Sequence, residues 1–307
     1  MKPASILVIK LAALGDVVQA FPAFAAIRAH HPAARIVLLT TPPFAPLLRR
    51  APWFDEVWSD GRPAWSDLRA VTRLALRLRR AGFDRVYDLQ TSGRSSRYRW
   101  FTGPAPEWSG IARGASHPHA NPRRDRMHTL ERQREQLALA GIHHVPAPDM
   151  SWMAGDVSGL DLPPRFGLLI PGASPGRPGK RWPAAAYAAL AAGLDLPVAV
   201  LGGPGERELA AAIRAGAPGA IDLTGRTTLE QIGALGRRAA FAVGNDTGPT
   251  HLVAASGCPT VALFGADSDP ALCAPRGPAV SVLRHQPLDS LPVATVAEAL
   301  ARLRRPS

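Results

Sequence analysis

The densest chemistry in this chain lies at residues 244–251, Gly-Asn-Asp-Thr-Gly-Pro-Thr-His. Asp246 or Thr247 can cap a helix there, and Pro249 suits a helix's first turn. A helix N-terminus with free N–H groups and no bulky side chain at Gly248 offers an anion site. His251 follows about one turn later, facing the same way. A well-capped helix with an incidental histidine is the plainer reading, yet Asp, Thr, Gly and His crowd one loop. Residues 171–183 hold four prolines, three glycines and three cations. That loop is either a surface turn in which Trp182 anchors the next helix, or an anion loop in which Ser174, Lys180 and backbone N–H groups meet phosphate. It is no P-loop, because Arg181 follows Lys180 where Ser or Thr is needed. In Gly202-Gly-Pro-Gly-Glu206, the acid can accept hydrogen bonds from a ribose or serve as a first-turn helix acid favoured by the dipole. In Lys10-Leu-Ala-Ala-Leu-Gly-Asp16, the aspartate can be a helix N-cap, a general base, or both.

Each loop needs a strand before it and a helix after it, and the pattern supplies them. Short apolar runs at Ser5 to Ile9, Arg35 to Thr40 and Asp84 to Leu89 read as strands in the first half. Helical patterns cover Val17 to His30 and Arg69 to Arg80, with Pro22 removing a bond from the first and kinking it. In the second half, strands are expected at Phe166–Ile170, Val198–Leu201, Ala240–Val243, Thr260–Phe264 and Val280–Leu283. Helices are expected at Pro183–Ala192, Glu206–Ala215, Leu229–Arg237, Thr250–Ser256 and Ala294–Arg304. Alternating strands and helices predict parallel α/β sheets. The Pro-, Gly- and Asp-rich stretch at residues 145–165 reads as a linker. The domains predicted are 1–155 and 156–307, with the last helix a candidate to pack back on the first. In such sheets ligands bind beyond the carboxyl ends of the strands, where all four loops fall.

With 307 residues, 46% of them hydrophobic, the chain is long enough for about two domains with real cores. Its longest apolar stretch, from Ala184 to Leu194, is eleven residues, about half of what a membrane span needs. Lys10 and Asp16 interrupt the N-terminal apolar run, so a buried strand is expected there rather than a signal peptide. Two cysteines, Cys258 and Cys273, exclude a disulfide scaffold and a cysteine-rich zinc module. The net charge of +12 is uneven: +9 over residues 1–160 and +3 over the rest. Nearly all the basic residues are arginine. Base-composition bias explains this as well as an anionic partner does. A nucleic-acid binder would use Arg94, Arg97 and Arg99 beside Tyr98 and Trp100. Aromatics are only 6%, and no RNA-binding signature accompanies them.

Taken together, the loops resemble glycosyltransferase family 9, the bacterial heptosyltransferases of lipopolysaccharide core synthesis. The likeness covers nearly the whole chain. It includes ILVIKLAALGDVVQAFPAFAAIR, Asp88-Leu-Gln-Thr-Ser-Gly-Arg-Ser95, the GKRWP element, GGPGE and GNDTGPTHLVAASGCPTVALFG, of which the last is the most specific. The resemblance implies a GT-B architecture: two Rossmann-like parallel-sheet domains facing an interdomain cleft, with the acceptor on the first and a nucleotide-sugar donor on the second. It implies that Asp16 is the catalytic base, that Ser174 and Lys180 touch the diphosphate, and that Asp246, Thr247, Gly248 and His251 form the donor motif. Where many members have His three residues after the base, this chain has Gln19, so direct chemistry at that position is not expected.

The expected reaction is inverting transfer of heptose from ADP-heptose to the acidic inner core of lipopolysaccharide. Asp16 would take the acceptor proton, and Lys180, Ser174 and the N–H groups near Thr247 and Gly248 would steady the leaving diphosphate. Asp246 would hold sugar hydroxyls, Glu206 would contact the donor, and Arg94 and Arg97 the acceptor. A related transferase using another nucleotide sugar or acceptor is the alternative. No cofactor, metal or nucleic acid is expected, the location expected is cytoplasmic, and peripheral contact with the inner membrane is an expectation. Asp267-Ser-Asp269 looks like a metal-binding DxD but is read as a loop.

Overall fold

A computed structural model of the chain describes residues 3–147, 149–174 and 176–304. Pro148 of the expected linker and Pro175 of the expected anion loop lie outside the described residues. The chain divides into two compact units, 1–152 and 153–307.

The first unit runs β1 (Ser5–Ile9), α1 (Leu14–Val18), α2 (Phe21–His30), β2 (Arg35–Leu39), α3 (Ala45–Leu48), β3 (Glu56–Trp58) and α4 (Leu68–Ala81). It continues with β4 (Arg85–Asp88), α5 (Gly93–Thr102), β5 (Glu107–Gly110), β6 (His117–Pro118) and α6 (Thr129–Leu139). The second runs β7 (Gly167–Ile170), α7 (Ala184–Ala192), β8 (Val198–Val200), α8 (Arg207–Gly216), β9 (Ile221–Asp222) and α9 (Leu229–Arg238). It ends with β10 (Phe241–Asn245), α10 (Gly248–Ala255), β11 (Thr260–Phe264), α11 (Pro270–Cys273), β12 (Val280–Arg284) and α12 (Val293–Leu303).

Each unit builds a six-stranded sheet in which every neighbouring pair is parallel. The orders are β3-β2-β1-β4-β5-β6 and β12-β11-β10-β7-β8-β9. Renumbered within its own unit, the second order is the first read backwards, so both sheets have the doubly wound Rossmann order. The central strands β1, β10 and β11 are buried along their whole length. This is why they read as unbroken apolar runs rather than alternating ones. The first core gathers Leu7, Ile9, Val37, Trp58, Leu74, Val86 and Trp108. The second gathers Leu169, Trp182, Tyr187, Val243, Leu263 and Leu300.

Two expectations change. The helix expected over Val17 to His30 is two helices, and it starts earlier. Pro22 has no N–H to donate back, so it sits in the first turn of α2 rather than inside one long helix. Ala13, not Asp16, occupies the N-cap of α1. The C-terminal helix α12 packs in the second unit, against α7, β11 and β12, with Val296, Ala299 and Leu300 in that core.

Sheet closeness at one point is set by the lack of a side chain. Gly167 pairs with Phe241 across β7 and β10. A β-carbon at Gly167 would fall 2.2 Å from the Phe241 ring, which is fully buried. Gly167→Ala should therefore destabilise the second unit by about 1–3 kcal/mol through overpacking. Adding Phe241→Leu should recover part of the loss, a non-additivity measurable by urea unfolding of the single and double variants.

Candidate functional site

Rossmann-order sheets present ligands at the switch point, where the chain turns from winding one way to winding the other. In the second unit this lies between β7 and β10, and the four neighbouring strands β11, β10, β7 and β8 carry the loops singled out above.

Asn245 ends β10 with no exposure. Its Nδ2 donates to the Pro171 carbonyl at 2.7 Å, and its Oδ1 accepts from the Trp182 N–H at 3.2 Å and the Tyr187 hydroxyl at 3.0 Å. One amide thus ties both ends of the 171–183 loop to the end of β10. Trp182 is buried as well, with its indole N–H on the Leu291 carbonyl and its ring edge-on to Tyr187. The next residue, Asp246, is brought together with two residues of the sequence reading. Lys180 Nζ lies 2.5 Å from Oδ2, and His251 Nε2 lies 3.2 Å from Oδ1. All three side chains are buried. Burial alone would raise the Asp246 carboxyl, but hydrogen bonds from His251 and Lys180 and their charges outweigh it and hold it at about 2.

Thr247 is the N-cap of α10 in extended conformation, and Gly248 opens the helix. The first N–H groups of a helix have no intrahelical acceptor, and at Pro249 there is none to satisfy. Glu206 reaches the same loop system: its Oε2 accepts from the Gly203 N–H at 2.5 Å. A β-carbon at Gly172 would fall 1.8 Å from its Oε1, so only glycine admits this carboxylate over the end of β7. Ser174 stands apart. It is exposed, and its carbonyl, rather than its hydroxyl, is engaged, by the Arg177 N–H. In the DxD stretch, Asp269 caps α11 through the Ala271 N–H and faces Arg284 at 3.4 Å. Among the described residues no group of three or more His, Cys, Asp or Glu side chains is placed to hold a metal ion.

In the first unit the switch point lies between β1 and β4. Asp16 sits half-buried in the first turn of α1, and its Oδ2 accepts from the Ala13 N–H at 3.0 Å. The loop that carries it is clamped from across the sheet. Gln90 Oε1 accepts from the Leu11 and Ala12 N–H groups at 2.8 and 3.2 Å. Thr41 donates to the Leu11 carbonyl. Beneath lies Lys10, fully enclosed, with Nζ on the Leu89 carbonyl at 3.2 Å. Burial lowers its pKa, the nearby Arg132 charge lowers it further, and Asp16 and Asp88 oppose both. Burial pushes the Asp88 carboxyl up to about 6, although the Thr91 and Gln90 N–H groups, Ser95 and Lys10 favour its charged form. Gln19 is buried between α1 and α2.

Arg94 and Arg97 are not drawn to Asp16. Arg94 donates to the Pro63 carbonyl at 2.7 Å, and the two guanidiniums lie 4.5 and 5.6 Å from the Trp65 ring centre. Sequence reasoning missed Asn245, Gln90 and the closeness of Lys10 and Arg132 to Asp16. A polar residue ending an otherwise apolar buried strand was the available signal for Asn245 and Lys10.

The Asp246 cluster makes a pH prediction. Its folded pKa lies below the ordinary carboxylate value. It therefore contributes stability that is fully present above about pH 4 and lost as pH falls toward about 2. Asp246→Asn should lower stability at neutral pH by an amount of order 1–3 kcal/mol. It should also flatten the loss between about pH 4 and 2, read by denaturant unfolding of both proteins across that range. Parallel curves for the two would show that Asp246 is not held by these partners.

Comparison with known proteins agrees with this geometry. Among solved structures, E. coli ADP-heptose lps heptosyltransferase II is 27% identical over 98% of each chain, with a TM-score of 0.77. E. coli heptosyltransferase WaaC with ADP is 21% identical, over 97% of this chain and 99% of that one, with a TM-score of 0.80. The glycosyl transferase family 9 structure from Veillonella parvula DSM 2008 is 22% identical over 99% and 98%, with a TM-score of 0.79. No curated protein matches the chain significantly. The profile of glycosyltransferase family 9 (heptosyltransferase) matches residues 71–293, most of the chain's length. Two doubly wound units with their polar loops at the switch points are the GT-B architecture, and the chain belongs to glycosyltransferase family 9, the heptosyltransferases, as a glycosyltransferase enzyme.

Proposed function

We propose that the chain moves a heptose from ADP-heptose to the inner core of lipopolysaccharide, with inversion at the anomeric carbon. The observation that carries this is the Lys180–Asp246–His251 cluster beside the start of α10 at the second switch point. The 27% identity to an ADP-heptose lps heptosyltransferase over the full length supports the same donor.

In this reading the second unit binds the donor. A diphosphate leaving group gains charge as the glycosidic bond breaks, and groups aimed at it beforehand lower the barrier. Lys180 and the N–H groups of Gly248 and Thr250 at the start of α10 meet that charge, with Ser174 completing the set from its exposed loop. Asp246 and His251 hold donor hydroxyls, and Glu206 holds the ribose. Asp16 takes the proton from the acceptor hydroxyl as it attacks, and the N–H of Ala13 keeps that carboxylate oriented. The acceptor is acidic and is met by the more basic first unit, through Arg94 and Arg97. The reaction runs in one step without a covalent intermediate, and neither a metal nor a cofactor takes part.

A panel of nucleotide sugars tests the donor. Turnover with ADP-heptose well above UDP- and GDP-sugars is expected, and a preference for another nucleotide sugar overturns the proposed substrate while leaving the family intact. Asp16→Asn should lower kcat by about 10²–10⁴ with ADP affinity unchanged in calorimetry. Turnover within a few-fold of wild type would reduce Asp16 to a helix-capping acid. Lys180→Ala should weaken ADP binding by about 10- to 100-fold, the loss of a charge-assisted bond. Lys180→Ala with Asp246→Asn should bind better than Lys180→Ala alone, since Asp246 then no longer opposes the diphosphate.

A further inference from the structure

A general base works only if its carboxylate points at the proton it takes. The direction of Asp16 depends on the Ala13 N–H, which donates to Oδ2 at 3.0 Å. Leu11, Ala12 and Ala13 bring no polar side chain to that loop, so what fixes it comes from the neighbouring strands. From the β2 side, Thr41 donates to the Leu11 carbonyl at 2.8 Å. From the β4 side, Gln90 Oε1 accepts from the Leu11 and Ala12 N–H groups, the two that precede Ala13.

Gln90 stands in the turn that links β4 to α5, and the backbone of that turn is strained. Thr91 has a φ of +44°, a left-handed conformation that a β-branched residue seldom adopts. Its N–H donates to Oδ1 of the fully buried Asp88 at 3.0 Å. Ser92 and Ser95 then exchange hydrogen bonds across the first turn of α5. The turn is thus held on both sides of Thr91. A strained residue that its surroundings hold in place points to a use other than stability. What this turn supplies is the reach of Gln90 across the switch point to residues 11 and 12.

We propose that Gln90 is a positioning residue of the transfer reaction, acting through Asp16: it fixes the Leu11 and Ala12 peptides, and so the Ala13 N–H that aims the carboxylate. The proposal rests on the reading of Asp16 as the base. An amide suits this task better than an acid would. Its oxygen accepts from both N–H groups without adding a second negative charge to the loop of Asp16 or to the turn that already buries Asp88. A clamp that served the fold alone would, when removed, cost stability and leave the rate untouched.

The test is steady-state turnover of the full chain, with the nucleotide sugar that the wild type uses best and a lipopolysaccharide core acceptor. Gln90→Leu removes the accepting oxygen, and Gln90→Asn leaves it too short by a methylene. Both should lower kcat by about 10- to 100-fold, with acceptor KM and calorimetric ADP affinity within about threefold of wild type. Gln90→Glu keeps the reach and the accepting oxygen, and should recover about tenfold in kcat over Gln90→Leu. In an Asp16→Asn background, Gln90→Leu should cost nothing further, because its effect passes through that carboxylate. Three results overturn the proposal: a kcat for Gln90→Leu within about threefold of wild type, equal losses in Gln90→Leu and Gln90→Glu, or the full loss repeated in the Asp16→Asn background. If circular dichroism shows that Gln90→Leu does not fold, Gln90→Asn takes its place in each comparison. Failure of the base reading shows separately, as near wild-type turnover by Asp16→Asn alone.

Discussion

A buried amide has donors and an acceptor that must all find partners, or each costs about what a lost hydrogen bond costs. Asn245 meets this demand by joining three segments: the end of β10, the start of the 171–183 loop at Pro171, and its far end at Trp182 and Tyr187. Lys180 lies in that loop two residues before Trp182, and Asp246 directly follows Asn245. The 2.5 Å approach of Lys180 to Asp246 is therefore fixed by the amide beside it. Thr250 adds a second constraint, its hydroxyl donating to the Asn245 carbonyl at 2.7 Å, which sets the angle at which α10 leaves the strand.

The first unit solves the same problem in the same place. Gln90, two residues past β4, accepts from the two N–H groups that follow Lys10 at the end of β1. In both sheets a side-chain amide from the fourth strand's end stitches the loop that follows the first strand. Parallel strands diverge at a switch point because their outgoing helices pass to opposite faces, which opens a crevice with backbone groups that no strand neighbour can satisfy. A side-chain amide both donates and accepts, and it is long enough to cross that opening. The loops at the switch points then rest on a fixed base, although each is itself rich in Gly or Pro or carries charge.

This division explains what was legible. The strands over Ser5–Ile9 and Thr260–Phe264 could be read to the residue because buried parallel strands are continuous apolar runs bounded by charge, Gly or Pro. The edge strands Glu56–Trp58, His117–Pro118 and Ile221–Asp222 span only two or three residues, too few for any period to show. Helix α5, Gly-Arg-Ser-Ser-Arg-Tyr-Arg-Trp-Phe-Thr, has no apolar stripe and is started by the Ser92 cap, a local signal only. At the site, Asp16, Lys180, Asp246 and His251 were legible as residue types in loops. The pairing of Lys180 with Asp246 was not, because 66 residues separate them and only the strand order brings them together. The clamp by Gln90 was hidden for the same reason, at a separation of 79.

The pairing also bears on how the proposed donor would be recognised. Lys180 faces a carboxylate held near its lowest pKa range, so an anion reaching that ammonium competes with one already in place. Net affinity is then the difference between two charge-assisted interactions rather than the whole of one. A single weak anion gains little from such an exchange. A diphosphate can do better, because it spans both the ammonium and the N–H groups that open α10, and the second contact has no internal competitor. Its sugar hydroxyls would also donate to Asp246 as Lys180 turns away, so the carboxylate exchanges one partner for another instead of being left buried and alone. If the proposed donor binds there, the buried pair would select for a ligand that carries diphosphate and hydroxyl groups at one fixed spacing, and would discriminate against either group presented singly.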